Sequence, residues 1–204
     1  MMRLLKTTTL SATLLSAALA SSTTLAQQTN NLYGGVQIIA THTSYSSNHL
    51  IKSVDLPILV GKLGYQFNQN FAMEARLGFG IDSATKNDFR SQGYYIDKFD
   101  GKVDNLLGLY GVAKTDEIGH NLKFFGLLGL TRVSVSSSTT ILYGRSYTIS
   151  RSETDTSLSF GGGIEYSLSP KAAITLEYAS YMRGSTNGSD YDTTGFAIGL
   201  QSQF

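Results

Sequence analysis

The sequence predicts an all-β fold: an eight-stranded antiparallel up-and-down transmembrane β-barrel. Three observations lead to this prediction. Segments of about ten residues alternate apolar and polar side chains, as in strands with two different faces. Short and long connections alternate between these segments. After the N-terminal region, no stretch approaches the roughly 18 consecutive apolar residues of a membrane helix.

Length and composition set the first limits. The chain has 204 residues, which suits one domain, and no cysteine, so it offers neither disulfides nor thiolate metal ligands. Its 16 Lys and Arg against 15 Asp and Glu lack the basic excess of a nucleic-acid binder. The 21 Gly, 12 Tyr and 10 Phe, with only 2 Pro, favour many strands and few rigid turns.

Residues 1–26 predict a cleaved secretory signal peptide. A short positive region precedes an apolar region at 10–20 (LSATLLSAALA), which is too short to cross about 30 Å of hydrocarbon as a helix. Small residues fit cleavage after Ala20 and also after Ala26. A polar Ser/Thr segment before the second site favours that one. Residues 27–204 are therefore expected to form the barrel domain.

Five segments show the strand alternation clearly. In residues 71–81 the apolar side chains from Phe71 to Ile81 share one face, and Ala, Glu, Arg and Gly share the other. The same pattern predicts strands at 56–67, 157–168, 172–181 and 195–204. Three further segments are apolar enough for strands, but the pattern leaves open which face points outward: 32–43, 103–114 and 122–135.

The connections between these segments alternate in length. Short links lie at residues 68–70, 115–120 and 169–171, and long links lie near residues 44–55, 82–102, 136–155 and 183–193. Barrels of bacterial outer membranes have short periplasmic turns and longer extracellular loops. In a chain that starts in the periplasm, the odd-numbered connections lie outside, and those are the long ones here.

The alternation alone also fits a soluble barrel or sandwich, because it shows only that two faces differ. Here the apolar faces carry large side chains, while the opposite faces carry Gly and Ala beside isolated charges. An eight-stranded barrel has an interior just wide enough for side chains to fill, so small residues beside long charged ones suit an interior. We expect opposite charges to pair across the lumen, because a lone buried charge is costly. The predicted lumen charges are Lys62, Glu74, Arg76, Glu165 and Glu177.

The C-terminal segment resembles the terminal strand signal of bacterial outer-membrane proteins. That signal combines a final Phe, apolar residues at alternate positions and a Gly near the end. The matching residues are Phe196, Ile198, Gly199, Leu200 and Phe204. Ser202 departs from the pattern, because an apolar or aromatic residue is usual there. The resemblance implies recognition by the outer-membrane assembly machinery.

The mature chain also resembles the small eight-stranded barrels that include the OmpA membrane domain, OmpX-like and opacity-type proteins. The resemblance rests on KLGYQF at 62–67, FAMEAR at 71–76 and FGGGIEY at 160–166. It implies a bacterial outer-membrane location and contact with outer-membrane lipid and lipopolysaccharide. A closed ring has no free strand edges, so a monomer is expected to suffice.

An aromatic belt at the periplasmic membrane boundary is expected to consist of Tyr and Phe, because the chain contains no Trp. Five aromatic residues are predicted from their proximity to short turns to form this periplasmic girdle. They are Tyr65, Phe67, Phe71, Tyr166 and Tyr178.

Residues that could support catalysis are few. His42 and Ser44 superficially resemble the His-x-Ser of lipid A deacylase barrels, but the surrounding residues do not match. Such catalysis also needs a carboxylate to orient the histidine, and Asp55 is a candidate that the sequence does not support. We therefore expect His42 and Ser44 to be solvated residues at the rim of the barrel. No metal site or phosphate-binding loop is evident. The sequence therefore predicts no enzyme, no cofactor and no metal.

The expected function is a structural outer-membrane barrel with a plugged lumen and surface-exposed loops. The long links carry aromatic residues such as Tyr147 among Ser, Asn, Asp and Lys. This composition resembles adaptable protein-binding surfaces. Contact with a host, matrix or serum component and simple solvation among lipopolysaccharide sugars both remain open. A narrow diffusion channel is the second hypothesis, and a lipid-modifying enzyme is the third.

Overall fold

The structure is a computed structural model that describes residues 31–46, 53–91, 94–119, 121–143, 145–186 and 189–204. The predicted signal peptide lies outside the described residues, and its cleavage stays a prediction. Among the residues described, none belongs to a helix with the length and apolar character needed to span a membrane.

Nine β-strands make up the described part of the chain. They are β1 (Leu32–Ser46), β2 (Ser53–Gln66), β3 (Phe71–Gly80), β4 (Ser83–Ser91), β5 (Tyr94–Lys114), β6 (Leu122–Tyr143), β7 (Arg145–Ser167), β8 (Ala172–Thr186) and β9 (Ser189–Gln203). Their order is β3-β2-β1-β9-β8-β7-β6-β5-β4, and β3 also pairs with β5, which closes the ring. Because β3 and β4 pair with successive parts of β5, they act as one barrel strand with a bend at Ile81 and Asp82. The closed eight-stranded antiparallel barrel confirms the predicted fold.

The long connections differ most from the prediction. Much of their length continues the strands as paired ribbons: β4 pairs with β5 as far as Ser91 with Tyr94, and β6 pairs with β7 as far as Tyr143 with Arg145. The prediction limited each strand to the residues needed to cross a bilayer. Pairing between the two strands of a hairpin satisfies their backbone hydrogen bonds outside the bilayer as well as inside it. The Ser- and Thr-rich ribbons can therefore form without lipid contact. We call the end of the barrel from which these paired ribbons project the hairpin end. The opposite end, with the links at 67–70, 115–121 and 168–171, is the turn end.

The burial of side chains shows which face points outward. Along β3, exposed and buried residues alternate from Phe71 to Gly80. Leu77 and Phe79 are 47% and 54% exposed, whereas Arg76 is 3% exposed. On β3 the large apolar side chains therefore face outward, where lipid surrounds a membrane barrel, and the charged side chains face the lumen.

Strand pairing also orients the three segments that the sequence left undecided. In β1, β5 and β6, the polar and amphipathic side chains turn inward together with some apolar ones, and the exposed apolar side chains turn outward. The inward side chains include Gln37, Tyr110 and Thr131, and the outward ones include Ile38, Leu109 and Leu130.

The outward apolar side chains form a band that starts at the turn end. On β6 the outward residues run from Phe124 to Leu130 and then change to Arg132 and Ser134. About ten residues at roughly 3.3 Å each, on strands tilted by about 40°, give a height of about 25 Å. This is the height of the apolar band of outer-membrane barrels.

Candidate functional site

The central feature of the lumen is an ion pair that crosses its full width. Arg76 on β3 donates from Nη1 and Nη2 to the two carboxylate oxygens of Glu177 on β8, at 2.7 and 2.8 Å. Around the ring, β8 lies opposite β3, because three strands separate them in either direction. Both side chains are 1% exposed. This bidentate pair joins opposite walls and occupies the space between them.

Neighbouring groups complete the hydrogen bonding of this pair. Arg76 Nε donates to Glu74 Oε1 at 2.5 Å, so one guanidinium serves two carboxylates. The Tyr33 hydroxyl donates to the other oxygen of Glu74 at 3.0 Å. The Tyr181 hydroxyl donates to Glu177 Oε1 at 2.8 Å. Each buried charge therefore has partners, which offsets the cost of removing it from water.

Aromatic and hydroxyl groups surround the same layer. The Arg76 guanidinium lies 4.6 Å from the centre of the Tyr110 ring, a cation–π contact. The Tyr110 hydroxyl is hydrogen-bonded to the hydroxyl of Thr131. Lys62 Nζ donates to Thr175 Oγ1 at 3.4 Å. Side chains from several strands thus pack together in this layer of the lumen.

A second group of charges lies at the turn end. Lys114 Nζ is 2.6 Å from Glu165 Oε2, and the Gln201 amide donates to the same oxygen at 2.7 Å. Lys114 also lies 5.0 Å from the centre of the Tyr33 ring. These side chains border an open cavity of about 130 Å³ that also contacts Lys123.

The structure places all five predicted lumen charges inside the barrel. Lys62, Glu74, Arg76, Glu165 and Glu177 are all buried. The sequence analysis missed Lys114, the partner of Glu165. Lys114 ends β5, one of the strands whose inward face the pattern left open. Strict alternation from Tyr110 and Val112 would have identified it.

The half of the lumen nearer the hairpin end is apolar, which the sequence analysis did not anticipate. Its buried apolar side chains lie farther from the turn end than the ion pair, and β1, β2, β5 and β6 all contribute. They include Ile39, Ile58, Val60, Leu106 and Val133. Together with the charged layer, they fill the interior in the way expected for eight strands.

The outward face of β1 and β2 carries polar residues just beyond the apolar band. His42 and Asp55 are register partners, and His42 Nδ1 lies 2.6 Å from Asp55 Oδ1. Both side chains are solvent-accessible, at 56% and 78%. Ser44 is exposed two residues beyond His42. The structure thus joins His42 to the carboxylate that sequence reasoning left unsupported. Within the described residues, no cluster of three or more His, Asp or Glu side chains could hold a metal ion.

Comparison with protein families matches the family model "Outer membrane protein beta-barrel domain" to residues 11–204. The chain belongs to this family. Comparison with curated protein sequences found no match.

Solved structures with the same fold come from several bacteria. Neisserial surface protein A is 17% identical with a TM-score of 0.54, over 85% of this chain and 97% of that one. OprG from Pseudomonas aeruginosa is 12% identical with a TM-score of 0.53, over 85% and 96%. Ail from Yersinia pestis is 16% identical with a TM-score of 0.50, over 84% and 99%. At these identities the likeness shows the fold. With the family match, it places this β-barrel in the bacterial outer membrane.

The C-terminal residues predicted to guide assembly lie on or just after β9. Phe196 and Ile198 point outward, whereas Gly199 is buried and leaves room for Gln37 of β1. Leu200 pairs with Val36 on β1. The backbone N–H of Phe204 donates to the Leu32 carbonyl at 3.0 Å. These residues line the contact between the first and last barrel strands, and their role in assembly stays a prediction.

Four of the five predicted girdle residues are exposed at the turn end, which is the periplasmic end of such a barrel. They are Tyr65, Phe67, Phe71 and Tyr166. Tyr178 requires a correction: it is also exposed, but it lies six residues along β8 from Ala172, in register with Phe196. At about 3.3 Å per residue this position is in the middle of the apolar band. Phe124, exposed two residues into β6, lies near the turn end and was missed.

Proposed function

We infer that the protein is a closed-lumen barrel that contributes to the outer-membrane wall and meets external partners through its projecting hairpins. The Arg76–Glu177 pair across the lumen carries this proposal. The apolar layer above it supports the same interpretation. The proposed role assigns no catalysis to the lumen.

Closure of the lumen follows from the energetics of the pair. An ion crossing the barrel would have to separate two buried charges that hold each other at hydrogen-bond distance. It would then enter a layer of aliphatic side chains, including Ile58 and Leu106, where a charge loses its hydration. Both barriers act in series, so a steady ion path is unfavourable.

Single-channel recording tests the closed lumen. The full chain, purified, folded and checked by its shift on a gel after boiling, is inserted into planar lipid bilayers. We expect no steady openings of nanosiemens scale. Steady openings at that scale would overturn the closed lumen and support the narrow diffusion channel. A large-pore porin in the same bilayers serves as the positive control.

The hairpin of β6 and β7 supports the surface role. It remains paired from Val133 with Asp155 to Tyr143 with Arg145. Eleven residues of each strand correspond to about 35 Å of strand length beyond the apolar band. Its exposed side chains include Tyr147, Ser150 and Ser152. Tyr and Ser together suit adaptable recognition.

A trimmed variant tests the surface role. Residues 137–151 are replaced by Asn-Gly, so that Ser136 and Ser152, which are register partners, are joined by a tight turn. The Ail structure holds the heparin analogue sucrose octasulfate, so immobilised heparin and matrix-coated surfaces are suitable probes. We expect cells with the intact chain to be retained more strongly than cells with the trimmed variant. Equal retention, at equal amounts of folded barrel, would remove this hairpin from the proposed contact.

A further inference from the structure

We propose that the hairpin-end rim of β1 and β2 holds a serine esterase site that cleaves acyl esters of phosphorylated lipids in the outer leaflet. Ser44 is the proposed nucleophile, His42 the proton acceptor and Asp55 the carboxylate that orients the histidine. The site lies on the outer wall of the barrel and is separate from the lumen and from the hairpin tips.

The His42–Asp55 contact is the first support. The two residues face each other on adjacent strands, and His42 Nδ1 is 2.6 Å from Asp55 Oδ1. A carboxylate at Nδ1 keeps the proton on that nitrogen and leaves Nε2 as the acceptor. It also stabilises the imidazolium that forms when Nε2 takes a proton. This is the orientation of base and carboxylate that serine hydrolases require.

The position of Ser44 is the second support. Residues two apart in a strand point to the same face, with Cα atoms about 6.6 Å apart. Ser44 and His42 are therefore neighbours on the outward face of β1, and both are exposed. In unliganded enzymes the bond between nucleophile and base is often long and shortens when substrate binds.

The location at the membrane boundary selects the substrate class. Ile38 and Leu59, register partners nearer the turn end, are exposed on the same outward face. The outward face changes from these apolar side chains to His42 and Asp55 farther along the same two strands. Ester carbonyls of membrane lipids lie at this boundary between hydrocarbon and headgroup. A lipid in the outer leaflet would reach Ser44 without leaving the membrane.

A cation on the same wall adds specificity for a phosphate. Ser44 pairs in register with Asp192 on β9, and Asp192 pairs with Arg183 on β8, so Arg183 lies two strand spacings, about 9.6 Å, from Ser44. The Arg183 guanidinium lies 5.6 Å from the ring centre of outward-facing Phe160. Its Nε donates to Asp192 Oδ2 at 3.1 Å. A guanidinium has five N–H donors, so donors remain for a lipid phosphate.

The reaction balances with water as the only co-reactant. Ser44 Oγ attacks the ester carbonyl while His42 Nε2 takes the hydroxyl proton. The tetrahedral intermediate then collapses, the bond to the alkoxy oxygen of the lipid breaks, and His42 returns the proton to that oxygen. Water, deprotonated by His42, then attacks the acyl carbon, the bond from that carbon to Ser44 Oγ breaks, and His42 returns the proton to Oγ. The products are a fatty acid, a lipid with one more hydroxyl group, and free Ser44.

Release of fatty acid tests the proposal. The full chain is folded in detergent micelles, checked for its shift on a gel after boiling, and mixed either with phosphatidylglycerol vesicles or with purified lipopolysaccharide. Free fatty acid is then measured by mass spectrometry. We expect release from at least one of the two lipids, and the lipid that reacts identifies the source of the ester. Ser44→Ala and His42→Gln should each lower the rate at least about 100-fold, and Asp55→Asn should lower it substantially.

Thr194 supplies a matched control on the same surface. It is the β9 register partner of His42 and carries a hydroxyl on the same outward face. Thr194→Val should keep the activity of the unmodified chain. Loss of activity in Thr194→Val with retention in Ser44→Ala would overturn the assignment of Ser44.

A fluorophosphonate probe gives a second readout that does not depend on the choice of lipid. The probe forms a covalent bond with an activated serine, and peptide mass spectrometry locates it. Labelling at Ser44 that is lost in His42→Gln is expected. A folded chain that neither releases fatty acid above the Ser44→Ala background nor reacts with the probe would overturn the proposal. The lumen and hairpin experiments would be unaffected by that result. An active site here would replace the sequence-based expectation of a protein without enzymatic activity.

Discussion

Arg76 and Glu177 lie 101 residues apart in the chain and form a bidentate ion pair between opposite walls of the barrel. The pair connects β3 to β8, which share no strand pairing. It therefore adds a contact across the lumen between two strands that are not hydrogen-bonded neighbours. Removal of one partner leaves the other charge buried and incompletely compensated.

Glu177→Gln should lower the free energy of unfolding by about 3–5 kcal/mol, because the buried Arg76 would lose its strongest partner. Urea unfolding of the folded barrel in lipid vesicles measures this change. Glu153→Gln, on the exposed part of β7, is the matched control and should cost less than about 0.5 kcal/mol. Equal costs for the two substitutions would show that the ion pair contributes no special stability.

Replacement of both partners should be less harmful than the two single substitutions predict together. Arg76→Met with Glu177→Met removes both charges and leaves apolar side chains of useful length. The cost of the double substitution should be smaller than the sum of the single costs by about 1–3 kcal/mol, measured by the same unfolding experiment. Simple additivity would mean that the two side chains act independently.

Two glycines of β2 should respond differently to the same substitution. A Cβ at Gly64 would lie 2.0 Å from Tyr33 Cζ, so Gly64→Ala must displace the ring that bonds to Glu74. We expect a loss of about 1–3 kcal/mol in the free energy of unfolding. A Cβ at Gly61 would have the Leu77 carbonyl oxygen as its nearest atom, at 3.8 Å. Gly61→Ala should therefore change the free energy of unfolding by less than about 0.5 kcal/mol. A reversed order would contradict the packing described for Tyr33.

Phe204→Ala should slow the assembly of the barrel in cells. The Phe204 backbone bonds to Leu32, and its phenyl group would lie 3.0 Å from a Cβ placed at Gly34, so the residue contacts β1 next to the pairing of the first and last strands. The measurement is the amount of heat-modifiable protein in the outer-membrane fraction shortly after induction. Leu158→Ala, on the outward face of β7, removes similar apolar surface away from this contact. Equal yields for the two variants would contradict a special role for Phe204.

The predicted signal peptide is tested by the mass of the protein isolated from outer membranes. Cleavage after Ala26 should leave a chain that begins at Gln27, and cleavage after Ala20 would leave one that begins at Ser21. Intact mass spectrometry separates the two. A mass that includes Met1 would contradict cleavage.

The fold was predictable because the two faces of a strand are visible as an alternation between consecutive residues. In Phe71–Gly80 every second residue is apolar and outward, and the structure follows that alternation along the whole strand. The hairpin extensions were not predicted, because residues such as Ser136 and Ser152 show no apolar face. Their pairing depends on the partner strand, which single-strand periodicity does not reveal. Lys114 was missed for a related reason. The apolar residues of β5 face both the lipid and the hairpin-end half of the lumen, so the periodicity of β5 does not show which face is inward.

The sequence by itself determined that the strands have one face of large apolar side chains and one face of small side chains and isolated charges. This is possible because a period of two is a property of consecutive residues. It also supplied the charges Lys62, Glu74, Arg76, Glu165 and Glu177 as candidates for the interior. Only the tertiary structure decided that Arg76 meets Glu177, because that contact requires a closed ring with one particular register. The same register places His42 beside Asp55. Contacts between distant residues depend on which strands become neighbours, and local patterns carry no information about that choice.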